Sequence, residues 1–297
     1  MIKSDFFPDR HTFIHLRLPF SLFLLPVFIF SISQSDAINW FNTGVVFMVL
    51  HFFIYTGSNI YNSYMDKDKG SIGGLKNPPP VTRKLFFASI FLDSIGLLLC
   101  LLVNFRMFLL MIVYIAVSKA YSWHAIRLKK YAVIGWLAVV MFQGGYTFLL
   151  VNMAAENIFN LMWFNDKNIE CMLLASLLIG GIYPITQIYQ HEEDSERGDY
   201  TISYRLGING TFIFAALLFL LSTVVAWHYF NCFYNTYHFL IFISCVAPVI
   251  IYFSYWFLKT LRNKSLADYN HAMHITMLSS FCMIICYSVL FYLNHTQ

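Results

Sequence analysis

The chain has 297 residues, 59% of them hydrophobic, 19% aromatic and only 11% charged, and its mean hydropathy is +0.62. Such a composition excludes a water-soluble globule and points to an integral membrane protein. The net charge of +4 is carried by the loops between apolar runs, so it implies no nucleic-acid partner, and no segment demands an obligate protein partner.

Nine apolar runs are long enough to cross the hydrocarbon core as helices: residues 18–32, 40–58, 85–103, 107–121, 131–151, 171–189, 211–230, 239–258 and 272–293. The first contains Pro19 and Pro26 but has no small-residue cleavage signature and no basic leader, so it reads as a retained helix. With the N-terminus inside, seventeen of the nineteen Lys and Arg residues, from Lys3, Arg10 and Arg17 to Lys259, Arg262 and Lys264, fall on the cytoplasmic side, and only Arg106 and Lys167 fall outside. The positive-inside rule then orients the N-terminus to the cytoplasm and the C-terminus outside, in the inner (plasma) membrane if the source is bacterial. Residues 1–297 read as a single all-α transmembrane domain whose longest polar connections, about 64–84 and 191–209, both lie on the cytoplasmic side. The six cysteines form no CxxC pair and read as free thiols within or beside helices.

Two polar stripes lead into those connections. On the second run Tyr55, Asn59, Asn62 and Asp66 step by four, three and four residues and so share one helical face. The sixth run repeats the device with Tyr183, Thr186, Gln187, Gln190 and Asp194. Either stripe alone suits an ordinary solvated helix end, but a matched pair in an apolar chain argues for use, because polar groups within a bilayer are costly. Carboxylate and amide oxygens from two helices suit Mg²⁺, which prefers oxygen ligands and is commonly completed by substrate phosphates, so the implied ligand is a diphosphate. Basic groups that could steady it occur in "SKAYSWHAIRLKKYAVIG" as Lys119, Arg127, Lys129 and Lys130, although positive-inside anchoring explains that cluster equally well.

These residues resemble the UbiA superfamily of intramembrane prenyltransferases, with nine transmembrane helices and two aspartate-rich motifs. Against the first motif, N-D-x-x-D-x-x-x-D, the sequence sets Asn62, Ser63, Asp66 and Gly70, with Asp68 close by. Against the second, D-x-x-x-D-x-x-x-G-x-x-T-L followed by L-G, it sets Gln190, Asp194, Gly198, Thr201, Ile202, Leu206 and Gly207. Tyr121, Arg127 and Lys129 match a third segment, Y-S-x-P-P-x-R-L-K, whose prolines are replaced by His124 and Ala125.

The resemblance implies a UbiA-like bundle with a central cavity open to the cytoplasmic side. It also implies transfer of an isoprenyl group from an allylic diphosphate to a lipophilic acceptor, such as an aromatic quinone precursor. Asp66, Asp194, Asn62, Gln190 and Asp68 are then expected to hold Mg²⁺, and Lys119, Tyr121, Arg127, Lys129 and Arg17 to bind the diphosphate. Asn59, Asp93, Tyr183 and Gln187 are expected to line the cavity. A membrane terpene cyclase using the same site, and a transporter of a small anionic metabolite, are the alternatives. Asp93 alternatively reads as a neutral core residue, the Gly73–Gly74 and Pro78–Pro80 loop as a lid or an inert connection, and His271 with His274 as interfacial histidines that lack a third metal ligand.

Overall fold

The computed structural model describes residues 8–296, so Lys3 lies outside the described residues. Eight helical runs among them are long and apolar enough to cross a membrane: Arg10–Ser33, Trp40–Asp66, Phe105–Ser122, Ala132–Glu156, Asp166–Ile185, Ile202–Phe233, Thr236–Arg262 and Tyr269–His295. The remaining expected run is helical too, as Arg83–Cys100. It carries Arg83 and Lys84 in its first turn and Asp93 near its middle.

Local chemistry breaks several of these runs. The first consists of α1 (Arg10–His15), α2 (Leu18–Ser21), a 3₁₀ turn (Leu22–Leu24) and α3 (Leu25–Ser33). Pro19 and Pro26 sit in the opening turns of α2 and α3, where a missing N–H costs nothing and the fixed φ starts a new helix. The second run passes from α4 (Trp40–Met48) through a π-helical turn (Val49–Ile54) into α5 (Tyr55–Asp66). After α6 (Arg83–Cys100) and α7 (Phe105–Ser122), the fifth run does the same: α8 (Ala132–Val139), a π turn (Val140–Tyr146) and α9 (Thr147–Glu156).

The sixth run departs from expectation. Helix α10 (Asp166–Ile185) ends just after Pro184, and Asp194 belongs to a separate short helix, α11 (His191–Arg197). The second polar stripe is therefore carried by two helices and the turn between them. Helices α12 (Ile202–Phe233), α13 (Thr236–Arg262) and α14 (Tyr269–His295) complete the bundle, with a kink in α12 at Gly207, whose φ of 65° suits glycine.

The end of the bundle away from α11 is fastened by buried and half-buried polar side chains. Asn152 donates to Ser31 O and to Ser35 Oγ and accepts from Trp163 Nε1, Tyr229 donates to Gln34, and Asn294 donates to Ser33 O. Asn152 alone joins α3, α9 and the Leu161–Trp163 turn in a low-dielectric interior, where leaving it unpaired would cost about 1–3 kcal/mol. All six cysteines are free.

Helix α10 packs against α12 and against Val140–Tyr146. There a Cβ on Gly144 would stand 2.6 Å from Ser176 Cα and 2.9 Å from Ala175 O. Because backbone atoms cannot turn aside as a side chain can, Gly144→Ala is expected to wedge α10 outward and cost about 1–3 kcal/mol. A lowered thermal unfolding midpoint of the detergent-purified variant checks this.

Candidate active site

A cavity of about 870 Å³ runs through the bundle. Tyr55, Asn59, Asn62 and Asp66, the whole of the first stripe, line it, and so do Tyr183, Thr186, Gln187, Gln190 and Asp194 of the second. Tyr55 and Asp66 are eleven residues apart, so the lined face of α5 alone spans about 16 Å. Away from these polar ends the wall is mostly apolar and aromatic, including Phe30, Phe142, Phe219, Phe253 and Met283, with hydroxyls such as Thr223, Ser254 and Thr276 among them.

Four aspartates and three cations interlock where the polar ends meet. Lys129 Nζ lies 2.5 Å from Asp66 Oδ2 and 3.4 Å from Asp199 Oδ2. Arg127 grips Asp199 with both Nε (2.7 Å) and a terminal nitrogen (2.8 Å), and reaches Asp66 Oδ1 at 3.5 Å. Arg197 pairs with Asp68 of the first loop and with Asp194 (3.3 Å) and Asp199 (3.8 Å) of the second. The backbone sets the meeting up: residues 131–132 bridge in parallel to Tyr200 and Thr201, which brings the basic segment against the second motif. Arg127 itself is held in the left-handed region, φ 47°, a conformation that persists where surrounding contacts enforce it.

Neighbouring carboxyls respond differently to this setting. Burial pushes Asp194 up to about 6, against the pull of Arg197 and Lys129. Burial also acts to raise Asp199, but the Arg127 hydrogen bonds and the charges of Lys129 and Arg127 outweigh it and hold that carboxyl below the usual range. Asp199 is thus the fixed anion of the lattice and Asp194 the uneasy one.

The first loop is strapped over the cavity mouth. Lys69 N (2.8 Å) donates to Glu193, and Gln190 Nε2 donates to Ser71 O (3.1 Å). Arg17, itself left-handed at φ 50°, donates to Gly73 O and Asn59 O, while its Nε is buried with no hydrogen-bond partner among the described residues. Gly73 and Gly74 lie on the Phe20 ring so closely that a Cβ on Gly73 would approach it to 2.6 Å.

The other expected residues divide plainly. Arg17, Tyr121, Lys129, Asn59, Asn62, Asp68, Gln190, Tyr183 and Gln187 line the cavity, and the hydroxyls of Tyr121 and Tyr183 are hydrogen-bonded, with Gln187 Nε2 donating to Tyr183 at 3.0 Å. Lys119 and Asp93 do not line it. They form an ion pair of 2.7 Å between α7 and α6, with Lys119 Nζ over the Tyr61 ring; the face of α7 that meets the cavity carries Ser118, Tyr121 and Ser122 instead. Arg127 also lies outside the lining, committed to Asp199. Arg197 and Asp199 were missed because neither fits a ligand pattern; the signal was the charge alternation Asp194, Arg197, Asp199. His271 bonds to Asp268, the cap of α14.

The donor set, three carboxylates with the Asn62 and Gln190 amides, is all oxygen and of the kind Mg²⁺ takes. The amide nitrogens are the engaged atoms, Asn62 with Asp66 and Ser122 and Gln190 with Ser71, which leaves the amide oxygens available. Yet no group of three or more His, Cys, Asp or Glu side chains among the described residues is arranged to hold a metal. The carboxylates carry the chain's own cations, and an ion would have to displace Lys129 or Arg197 to reach them.

The family model described as UbiA prenyltransferase family matches residues 22–280. No curated protein matches the chain. Among solved structures, that of a digeranylgeranylglyceryl phosphate synthase is 20% identical with a TM-score of 0.61, covering 96% of this chain and 98% of that one. A UbiA homologue from Archaeoglobus fulgidus bound to GPP and Mg²⁺ is 17% identical with a TM-score of 0.64, covering 94% and 99%. The same homologue bound to DMAPP and Mg²⁺ is 16% identical with a TM-score of 0.64, covering 95% and 100%. At these identities the structures speak for the fold, an all-α membrane bundle.

The Lys119–Asp93 pair separates structural from ligand-binding cations. Lys119→Met or Asp93→Asn alone is expected to cost about 3 kcal/mol by stranding a buried charge, and the double variant less than the sum of the two. Thermal unfolding of all three proteins checks this, and pyrophosphate affinity of the double variant is expected to match the parent.

Proposed function

Because the chain belongs to the UbiA prenyltransferase family, we propose that it ionises an allylic isoprenyl diphosphate and joins the carbon chain to a lipophilic acceptor, such as an aromatic quinone precursor, with Mg²⁺ as its metal. The observation that carries the reading is the junction of oxygen donors from α5 and α11 with Lys129 and Arg17 at the polar end of a long apolar cavity. That pairing suits a molecule with an anionic head and a hydrocarbon tail. The binding of GPP, DMAPP and Mg²⁺ by the Archaeoglobus fulgidus homologue lends support.

Asp66, Asp194 and Asp68, with the amide oxygens of Asn62 and Gln190, would hold the metal, which when bound supplies positive charge against the diphosphate. Among the described residues Arg17 has no carboxylate partner and is the cavity-lining cation freest to meet a phosphate oxygen; Lys129 joins it. As the allylic C–O bond breaks, its electron pair leaves with the diphosphate, so donors fixed there act where charge develops. The Phe and Tyr rings along the wall offer π faces to the carbocation, and the strapped loop keeps water from quenching it. The acceptor attacks the cation and loses a proton. Lys119 and Arg127 take no direct part. Positive-inside reasoning opens this mouth to the cytoplasm.

Mass spectrometry of membrane lipids tests the assignment: deleting the protein should remove one prenylated lipid. Restoring the parent should bring it back, whereas Asp66→Ala or Asp194→Ala should leave at most about 1% of the rate, the scale of one lost charge-stabilising group. Full restoration by both variants would refute the site. A cyclised hydrocarbon formed from the diphosphate without acceptor would replace transfer by cyclisation.

A further inference from the structure

The mouth of the cavity holds more negative than positive charge. Among the described residues Asp66, Asp68, Glu193, Asp194 and Asp199 pair only with Lys129, Arg127 and Arg197, and Arg17 stands near Asp68 and Asp66 without a carboxylate partner. Of the described cations that line the cavity, Arg17 alone has no carboxylate partner for a diphosphate to compete with, and like charges a few ångströms apart repel strongly where water is scarce. The cations must therefore change partners for the substrate to bind. Lys129 is anchored on two sides, by Asp66 and Asp199, so it would meet the diphosphate from that place and not by crossing to it. Arg197 is the one that crosses between loops, reaching Asp68 of the first, Asp194 of the second and Glu193 at 3.8 Å, and it lines the cavity.

We propose that Arg197 is a transferable diphosphate-binding residue: it clamps the two motif loops through Asp68 and Asp194 in the substrate-free protein, and passes its guanidinium to the diphosphate when a divalent ion takes those carboxylates. The proposal rests on the prenyl-diphosphate reading of the site. Its chemistry follows from the fork of the guanidinium, which bonds a carboxylate or a phosphate with similar geometry and so exchanges one for the other without refolding. Arg127 cannot serve, because both of its forked nitrogens are held by buried Asp199. Metal and diphosphate then enter as one event: the ion alone must evict Arg197, and the diphosphate alone must pull it off two carboxylates left bare.

This makes Arg197 oppose the metal and favour the diphosphate, an opposition no purely structural residue shows. Arg197→Gln is expected to bind Mn²⁺ alone more tightly than the parent, by about tenfold or more, read by electron paramagnetic resonance of bound Mn²⁺ in nanodiscs. The same variant, saturated with Mn²⁺, is expected to bind inorganic pyrophosphate about tenfold or more weakly by calorimetry. Arg197→Lys keeps the charge but loses the fork, so it should tighten Mn²⁺ less and weaken pyrophosphate less; it also serves if the glutamine variant does not fold. Loss of affinity for both probes, or no change in either, overturns the assignment while leaving the family reading intact. A parent protein that binds no pyrophosphate even with Mn²⁺ overturns both.

Discussion

The architecture depends on how a membrane-embedded site can hold five carboxylates without a metal-shaped cage. Ionised carboxylates removed from water cost several kcal/mol each unless paired, and here the pairing is supplied within the chain by Arg127, Lys129 and Arg197. Because all three of these cations touch more than one carboxylate, the network fixes the relative position of the α5 end, the segment before α8 and the α11 loop. Such a lattice adds little net stability compared with an apolar packing of equal volume. What it specifies is geometry, since a loop that strays leaves a charge unpaired.

The two ends of the bundle are built on opposite principles. At the far end, neutral amides and hydroxyls are fully satisfied around Asn152 and Gln34, and nothing there has a reason to move. At the site end the bonds are charged and shared, and several buried polar atoms, Arg17 Nε and Gln187 Oε1 among them, have no hydrogen-bond partner among the described residues. A rigid far end lets the mouth rearrange without loosening the helices that shape the wall.

How much of this was readable in the residues differs from element to element. The membrane class and the helical runs followed from hydropathy alone, because twenty apolar residues have few other uses. The α5 stripe was legible since one unbroken helix keeps a fixed angular step, and all four of its members line the cavity. Its counterpart was read with the right residues on the wrong support: a Pro184-terminated helix and a separate short one cannot be told from a continuous helix by spacing alone. Lys119 looked like Lys129 in sequence, but three residues from Ser122 its side chain turns to Asp93 on α6, and only tertiary packing decides which face of α7 meets the cavity. Arg197 and Asp199 escaped because an ion-pair partner has no periodic signature.

The π turn at Val49–Ile54 stands directly before the stripe of α5. It amounts to one residue more than an α-helix would use over the same rise, and each residue turns a helix by about 100°. That added residue sets the phase with which Tyr55, Asn59, Asn62 and Asp66 face inward while Val46, Val49 and Leu50 remain buried on the preceding segment. The cavity wall is thus timed by an insertion rather than by any residue that touches it, so the helix could shed it only by swinging all four polar side chains away together.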